Sequence, residues 1–204
     1  MKFRNSVKEF QLLAGNTTLD LVNTLDNRFR ESGPDELLGT YDDLLRFVQQ
    51  TGLLTAPQIR RIRRAGPDAE RQGVLDQVKQ LREALAGVAY ALLADEKLPK
   101  QNVNSLQEYF HRAHAARRLG DDGKRLVWSW PEREELSAPL WLLAQEGEKL
   151  LLSEQAERLR CCASDTCRWL FLDTSKNHTR RWCDMKICGN RMKARRYQAR
   201  LAGD

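Results

Sequence analysis

Apolar residues recur at helical spacing through most of the chain. From Thr17 to Arg30, Leu19, Val22, Leu25 and Phe29 predict one amphipathic helix, with Asn16 or Thr17 able to cap its first turn and Gly33-Pro34 as its break. A second helix fits Tyr41 to Gln50, with Leu44, Leu45 and Val48 inward, Thr40 as N-cap and Thr51-Gly52 as its stop. A third starts near Pro57. The strongest pattern runs from Val74 to Ala94, where Leu75, Val78, Leu81, Leu85, Val88, Ala89 and Leu92 form one stripe and predict the spine of the core. Gln101 to His114 follows as a helix with Val103, Leu106 and Phe110 buried.

The periodicity then changes. The run from His114 through Gly120-Asp-Asp-Gly123 to Trp130 predicts a β-hairpin ended by Pro131, after which Glu134 to Ser153 resumes helix through Leu136, Leu140, Leu143 and Leu150. Further on, Arg168 to Leu172 predicts a strand, Asp173 to Asn177 a turn, and Gly189 to Leu201 a helix. The expected fold is mainly α within an α+β class. A helical domain with one hairpin spans 1–153, and a C-terminal module spans 154–204. No Gly/Ser linker separates the two, so the module is expected to pack on the body.

Composition changes this picture in two places. With 41% hydrophobic and 30% charged residues, the chain has the make-up of a soluble globular protein. No apolar stretch approaches a bilayer span or a secretory signal, so a cytoplasmic location with no membrane partner is expected. The net charge of +6 is unevenly placed: Arg158 to Arg200 holds twelve Lys or Arg against three Asp, a local +9 beside a body of −3. Such asymmetry points to a polyanion partner.

All five cysteines lie between positions 161 and 188. Cys162-x4-Cys167 and Cys183-x4-Cys188 are two pairs of equal spacing with fifteen residues between them. Soft thiolates grouped in two short loops suit tetrahedral zinc, and four of them close the coordination sphere, which makes the metal structural rather than catalytic. Cys161 in place of Cys162 would break the matched spacing and is left as a spare thiol. His178 as a substitute ligand, and iron in place of zinc, stay open on spacing alone.

The run Cys188-Gly-Asn-Arg191, with Phe171-Leu-Asp-Thr-Ser175 and Arg180-Arg-Trp-Cys183 before it and Lys193-Ala-Arg-Arg196 after it, resembles the CGNR zinc finger. Upstream, Ala14-Gly15, Leu19-Asp-Leu-Val-Asn-Thr24, Glu36-Leu-Leu38 and Asp43-Leu-Leu45 resemble the ABATE domain that accompanies this finger. The resemblance implies a stress-induced transcription regulator, and the order of knuckle, hairpin and helix implies a treble-clef-like finger with one zinc ion.

On the last helix, Ala194, Tyr197 and Leu201 share a face expected to pack on the zinc core or the body. The remaining faces carry Arg191, Lys193, Arg195, Arg196 and Arg200, which together with Arg180 and Arg181 are candidate contacts to DNA. RNA, with Trp169 and Trp182 as stacking platforms, and an acidic protein docked by the basic helix are the competing partners. Asp20 and Asn23, polar positions on the first helix, are either the lining of a small-molecule effector pocket or ties from that helix to a neighbouring loop. His111 and His114 stand three apart without an evident carboxylate partner. No nucleophile motif or phosphate-binding glycine loop occurs, and no enzymatic activity is expected.

Overall fold

A computed structural model describes residues 9–129 and 136–201. The order of elements is α1 (Thr17–Val22), β1 (Leu25–Asp26), β2 (Asp35–Glu36), α2 (Tyr41–Gln50), α3 (Ala56–Ile62), α4 (Asp68–Leu93), α5 (Lys100–Ala116), β3 (Arg118–Asp121), β4 (Leu126–Ser129), α6 (Ala138–Leu151), β5 (Leu159–Cys161), β6 (Leu170–Leu172) and α7 (Asn190–Leu201). The strands form three separate antiparallel ribbons, β1 with β2, β3 with β4 and β5 with β6. The architecture is therefore mainly helical with small strand pairs, as the periodicity predicts.

Helix α4 is the spine, burying Leu75, Val78, Leu81 and Leu85 against α1, α2, α5 and α6. Gly147 lets α6 cross it closely: a Cβ there would sit 2.8 Å from a Leu85 methyl. Helix α2 opens on a complete capping box, in which Thr40 accepts from the Asp43 backbone and Asp43 returns the bond. The predicted hairpin is present but shifted: His114 still belongs to α5, and Gly120 and Asp121, expected in the turn, pair with Val127 and Leu126. Its expected end at Pro131, and the expected start of the next helix at Glu134, lie outside the described residues.

Three local expectations fail. The predicted helix from Thr17 to Arg30 stops at Val22, because Asn23 turns its side chain to another strand and the Thr24 hydroxyl bonds the Leu21 carbonyl. Leu25 then enters a ribbon opposite Glu36. Leu92 and Val103, assigned inward, are 44% and 38% exposed. The first lies in the last turn of α4 and the second in the first turn of α5, where the helices run past the core.

A buried guanidinium sits inside this body. Arg82, on the inner side of α4, reaches both carboxylate oxygens of Glu36 at 2.8 and 2.7 Å and the Thr24 hydroxyl at 3.1 Å. Burial pushes the Glu36 carboxyl up, but the hydrogen bonds and charge of Arg82 outweigh it and hold the group below its usual range.

Candidate metal centre and basic helix

The module begins as a hairpin. Strand β5 pairs with β6 through Leu159 opposite Leu172, Arg160 opposite Phe171 and Cys161 opposite Leu170. The ladder continues with Cys162 N–H donating to the Trp169 carbonyl at 2.8 Å. In the intervening turn the N–H groups of Cys167 and Arg168 both donate to the Ser164 carbonyl, and Arg168 adopts φ 58°. The first cysteine pair is thus carried on the turn of a hairpin whose partner strand lies upstream of the predicted one.

The second pair straddles a helix start. The Asp184 side chain accepts the Ile187 N–H at 2.8 Å, and its carbonyl accepts from both Cys188 and Gly189, making one wide turn before α7. Helical structure thus begins at Met185 rather than at the predicted Gly189, and Cys188 lies inside its first turn. A Cβ on Gly189 would collide with the Met185 sulfur and crowd Trp182 at 3.2 Å, so the glycine of the Cys-Gly-Asn-Arg run allows the turn to close.

The four sulfurs of Cys162, Cys167, Cys183 and Cys188 all lie within 4.8 Å of one another and are buried. Cys183 Sγ is 3.6 Å from both Cys167 Sγ and Cys188 Sγ. A tetrahedral zinc with Zn–S bonds of about 2.3 Å requires sulfur separations of about 3.8 Å, so the donors fit one structural zinc ion. As thiols the sulfurs solvate one another. Donation from Cys167 and Cys183 pulls the Cys162 thiol down, and serving as its donors pushes those two up. Bound zinc supplies the counter-charge under which all four ionise.

Cys161 stays outside this group, its thiol donating to the Arg168 carbonyl at 3.2 Å. His178 turns away as well, with Nδ1 3.2 Å from the Asp173 carbonyl. Asp173 itself ties the loop, accepting from the Ser175 N–H and hydroxyl and from the Arg180 N–H. The Ser175 bonds hold its carboxyl below the usual range.

The module is sealed onto the body, and Asp20 and Asn23 take part in that seal rather than in a pocket. Asn23 makes a two-way bond with the Leu170 backbone, 2.9 Å in each direction. Asp20 accepts the Ala14 N–H at 3.0 Å, and Leu172 N–H donates to the Ala14 carbonyl at 2.8 Å. With their polar atoms spent on backbone, the effector-pocket reading of these two residues is corrected to the tie reading. The tie runs from helix α1 to a strand of the zinc module.

Trp169 Nε1 donates to Asp26 at 2.7 Å, and Tyr90 hydroxyl to the Arg168 carbonyl at 3.0 Å. Sequence reasoning missed these partners because each joins residues far apart in the chain.

The basic residues divide. Arg180 is committed inward: it donates to the carbonyls of Trp182, Leu13 and Cys183 and stacks 4.4 Å over Phe171. It is therefore withdrawn as an interface residue. Arg181 is exposed, 5.6 Å from the Trp182 ring. Helix α7 has no buried residue, and Tyr197 and Leu201 are 65% and 62% exposed. The expected packing of its apolar face is therefore absent, since three apolar positions among so many arginines bury too little to hold it down. Among the described residues, none of Arg191, Lys193, Arg195, Arg196 and Arg200 is in an ion pair. Trp169 is buried, with Nε1 bonded to Asp26, and Trp182 is half-buried beside Arg181. His114 does have a carboxylate partner, Glu148 at 2.7 Å.

A family model described as "ABATE: Putative stress-induced transcription regulator" matches residues 15–154. The chain belongs to the ABATE family. A second model, the CGNR zinc finger, matches residues 158–201 and takes in all four clustered cysteines. No curated protein matches the chain. Both matched families are of regulator or zinc-finger type, and neither is an enzyme family. Among the described residues no helix of this ABATE protein is long and apolar enough to cross a membrane.

Proposed function

We propose that this ABATE protein binds duplex DNA through helix α7, held outward by a zinc ion on Cys162, Cys167, Cys183 and Cys188. The observation that carries the reading is a helix whose arginines and lysines have no ion-pair partner among the described residues, next to the four-cysteine cluster. Its twelve residues extend about 18 Å, enough to lie along a major groove. Arg191, Lys193, Arg195, Arg196 and Arg200 supply the contacts, with Arg181 beside them. In this scheme residues 1–153 form the effector-side domain and 154–204 the DNA-binding one.

Fluorescence anisotropy with random-sequence duplexes tests the proposal. Binding weakens with salt, with a log–log slope of about 0.9 per phosphate contacted, and the double variant Arg195→Ala/Arg196→Ala lowers that slope by about 2. Binding unchanged after removal of residues 184–204 refutes it. Retention of an acidic protein in stoichiometric amount, with no retention of DNA at low salt, replaces it with the docking alternative.

A further inference from the structure

A cleft lies where the zinc module meets the body, beside the metal-binding cysteines. Phe10, Leu37 and Trp169 give it apolar walls, and its volume is about 300 Å³, at the small end of the range for ligand pockets. A second lobe of about 150 Å³ shares Gln11, Asp26 and Trp169 with it, backs onto Cys167, Cys183 and Cys188 of the zinc cluster, and reaches Ile187 and Arg191 at the root of α7.

Its charge is one-sided. Glu9, Asp26 and Glu36 line the cleft against a single guanidinium, Arg46. Arg46 is already neutralised by Asp43 at 2.8 Å, and Glu36 by Arg82. Asp26 Oδ1 accepts from Trp169 Nε1 and from the Asn27 N–H, and among the described residues neither its Oδ2 nor the Glu9 carboxylate has a partner. The uncommitted charge is therefore that of two carboxylates beside aromatic rings, a setting that favours a cation with an apolar body.

We infer that this cleft binds a small organic cation, an amine carried on an aromatic or aliphatic group. Its ammonium lies between Glu9 and Asp26, and its body lies against Phe10, Leu37 and Trp169. As the effector site of a regulator it rests on the function proposed above, but binding is measurable without DNA. An occupant touching Trp169 and the second lobe adjoins the loop of Cys167 and the first turn of α7, which gives the ligand a route to the DNA-facing element.

Isothermal titration of the full-length, zinc-loaded protein with phenethylammonium, 2-phenylethanol and phenylacetate at neutral pH is the test. The expected result is saturable one-to-one binding of the cation, the neutral analogue weaker by about fivefold or more, and no binding of the anion. Glu9→Gln, an exposed change that leaves the fold alone, weakens the cation by about fivefold, and Asp26→Asn does so by at least as much. Absence of saturable cation binding, equal binding of the three compounds, or unchanged affinity in both the Glu9→Gln and the Asp26→Asn variants overturns the inference. Because no DNA is present, each of these failures is separate from failure of the DNA-binding reading.

Discussion

The two ends of the zinc module differ in almost every physical respect. At one end β5 and β6 place Leu159, Leu170, Phe171 and Leu172 in the same core as α1 and α4, and the Leu170 peptide is sealed by Asn23. At the other end α7 buries nothing and keeps its cations free. Both ends hang on one four-cysteine cluster. Side-chain chemistry decides which end is anchored: a Leu-Phe-Leu strand gains from burial, while a helix of arginine and lysine loses solvation by it. The metal cross-link lets one short segment be welded down and held out at once.

The change that breaks this contrast most is loss of the metal. Cys183→Ser, or prolonged chelation, is expected to abolish stoichiometric zinc by mass spectrometry and to remove a contribution of about 10 kcal/mol, collapsing the anchored and the displayed ends together. Asn23→Ala attacks the anchored end alone. It strands both polar groups of the Leu170 peptide in the core and should cost about 3 kcal/mol in urea unfolding, with zinc content unchanged.

Asp20 probes the same seam through pH. Burial pushes its carboxyl up to about 6 against the pull of the Ala14 and Leu13 N–H donors. The native state therefore keeps a proton that the unfolded chain has lost, so stability falls as pH rises from about 4 to about 6, by about 2 kcal/mol. Asp20→Asn should flatten that part of the stability profile. The smallest stability effect belongs to the displayed end. Arg195→Ala/Arg196→Ala should alter unfolding free energy by less than about 0.5 kcal/mol while lowering the salt slope of DNA binding, and a large loss of stability would show that α7 is anchored after all.

Much of the frame was legible in the sequence, since long amphipathic stripes and paired cysteines are local signals. Helix α2 with its Thr40 cap, the spine through Leu75 to Leu85, the hairpin and the four-sulfur cluster follow from spacing within a window of residues. What escaped was set by distant partners. The first helix reads as continuing past Val22 until Leu170 is seen competing for Asn23. The stripe on the fourth helix gives no sign that Arg82 is buried against Glu36 of another ribbon. Arg180 reads as one more cation of the tail until three carbonyls and the Phe171 ring claim it. The exposed apolar edge of α7 failed for a different reason, because periodicity reports that a face exists and not that anything covers it.

The clasp between Asn23 and the Leu170 peptide also limits how these two halves can be exchanged. A finger grafted onto a foreign helical body would meet its Leu170 peptide with no amide opposite and its Trp169 with no acceptor at position 26. Such a chimera would fold its metal cluster yet seat it loosely. Recombination between related chains should therefore succeed when positions 23 and 26 travel with the finger, making a few residues of the first helix and ribbon part of the finger's inheritance.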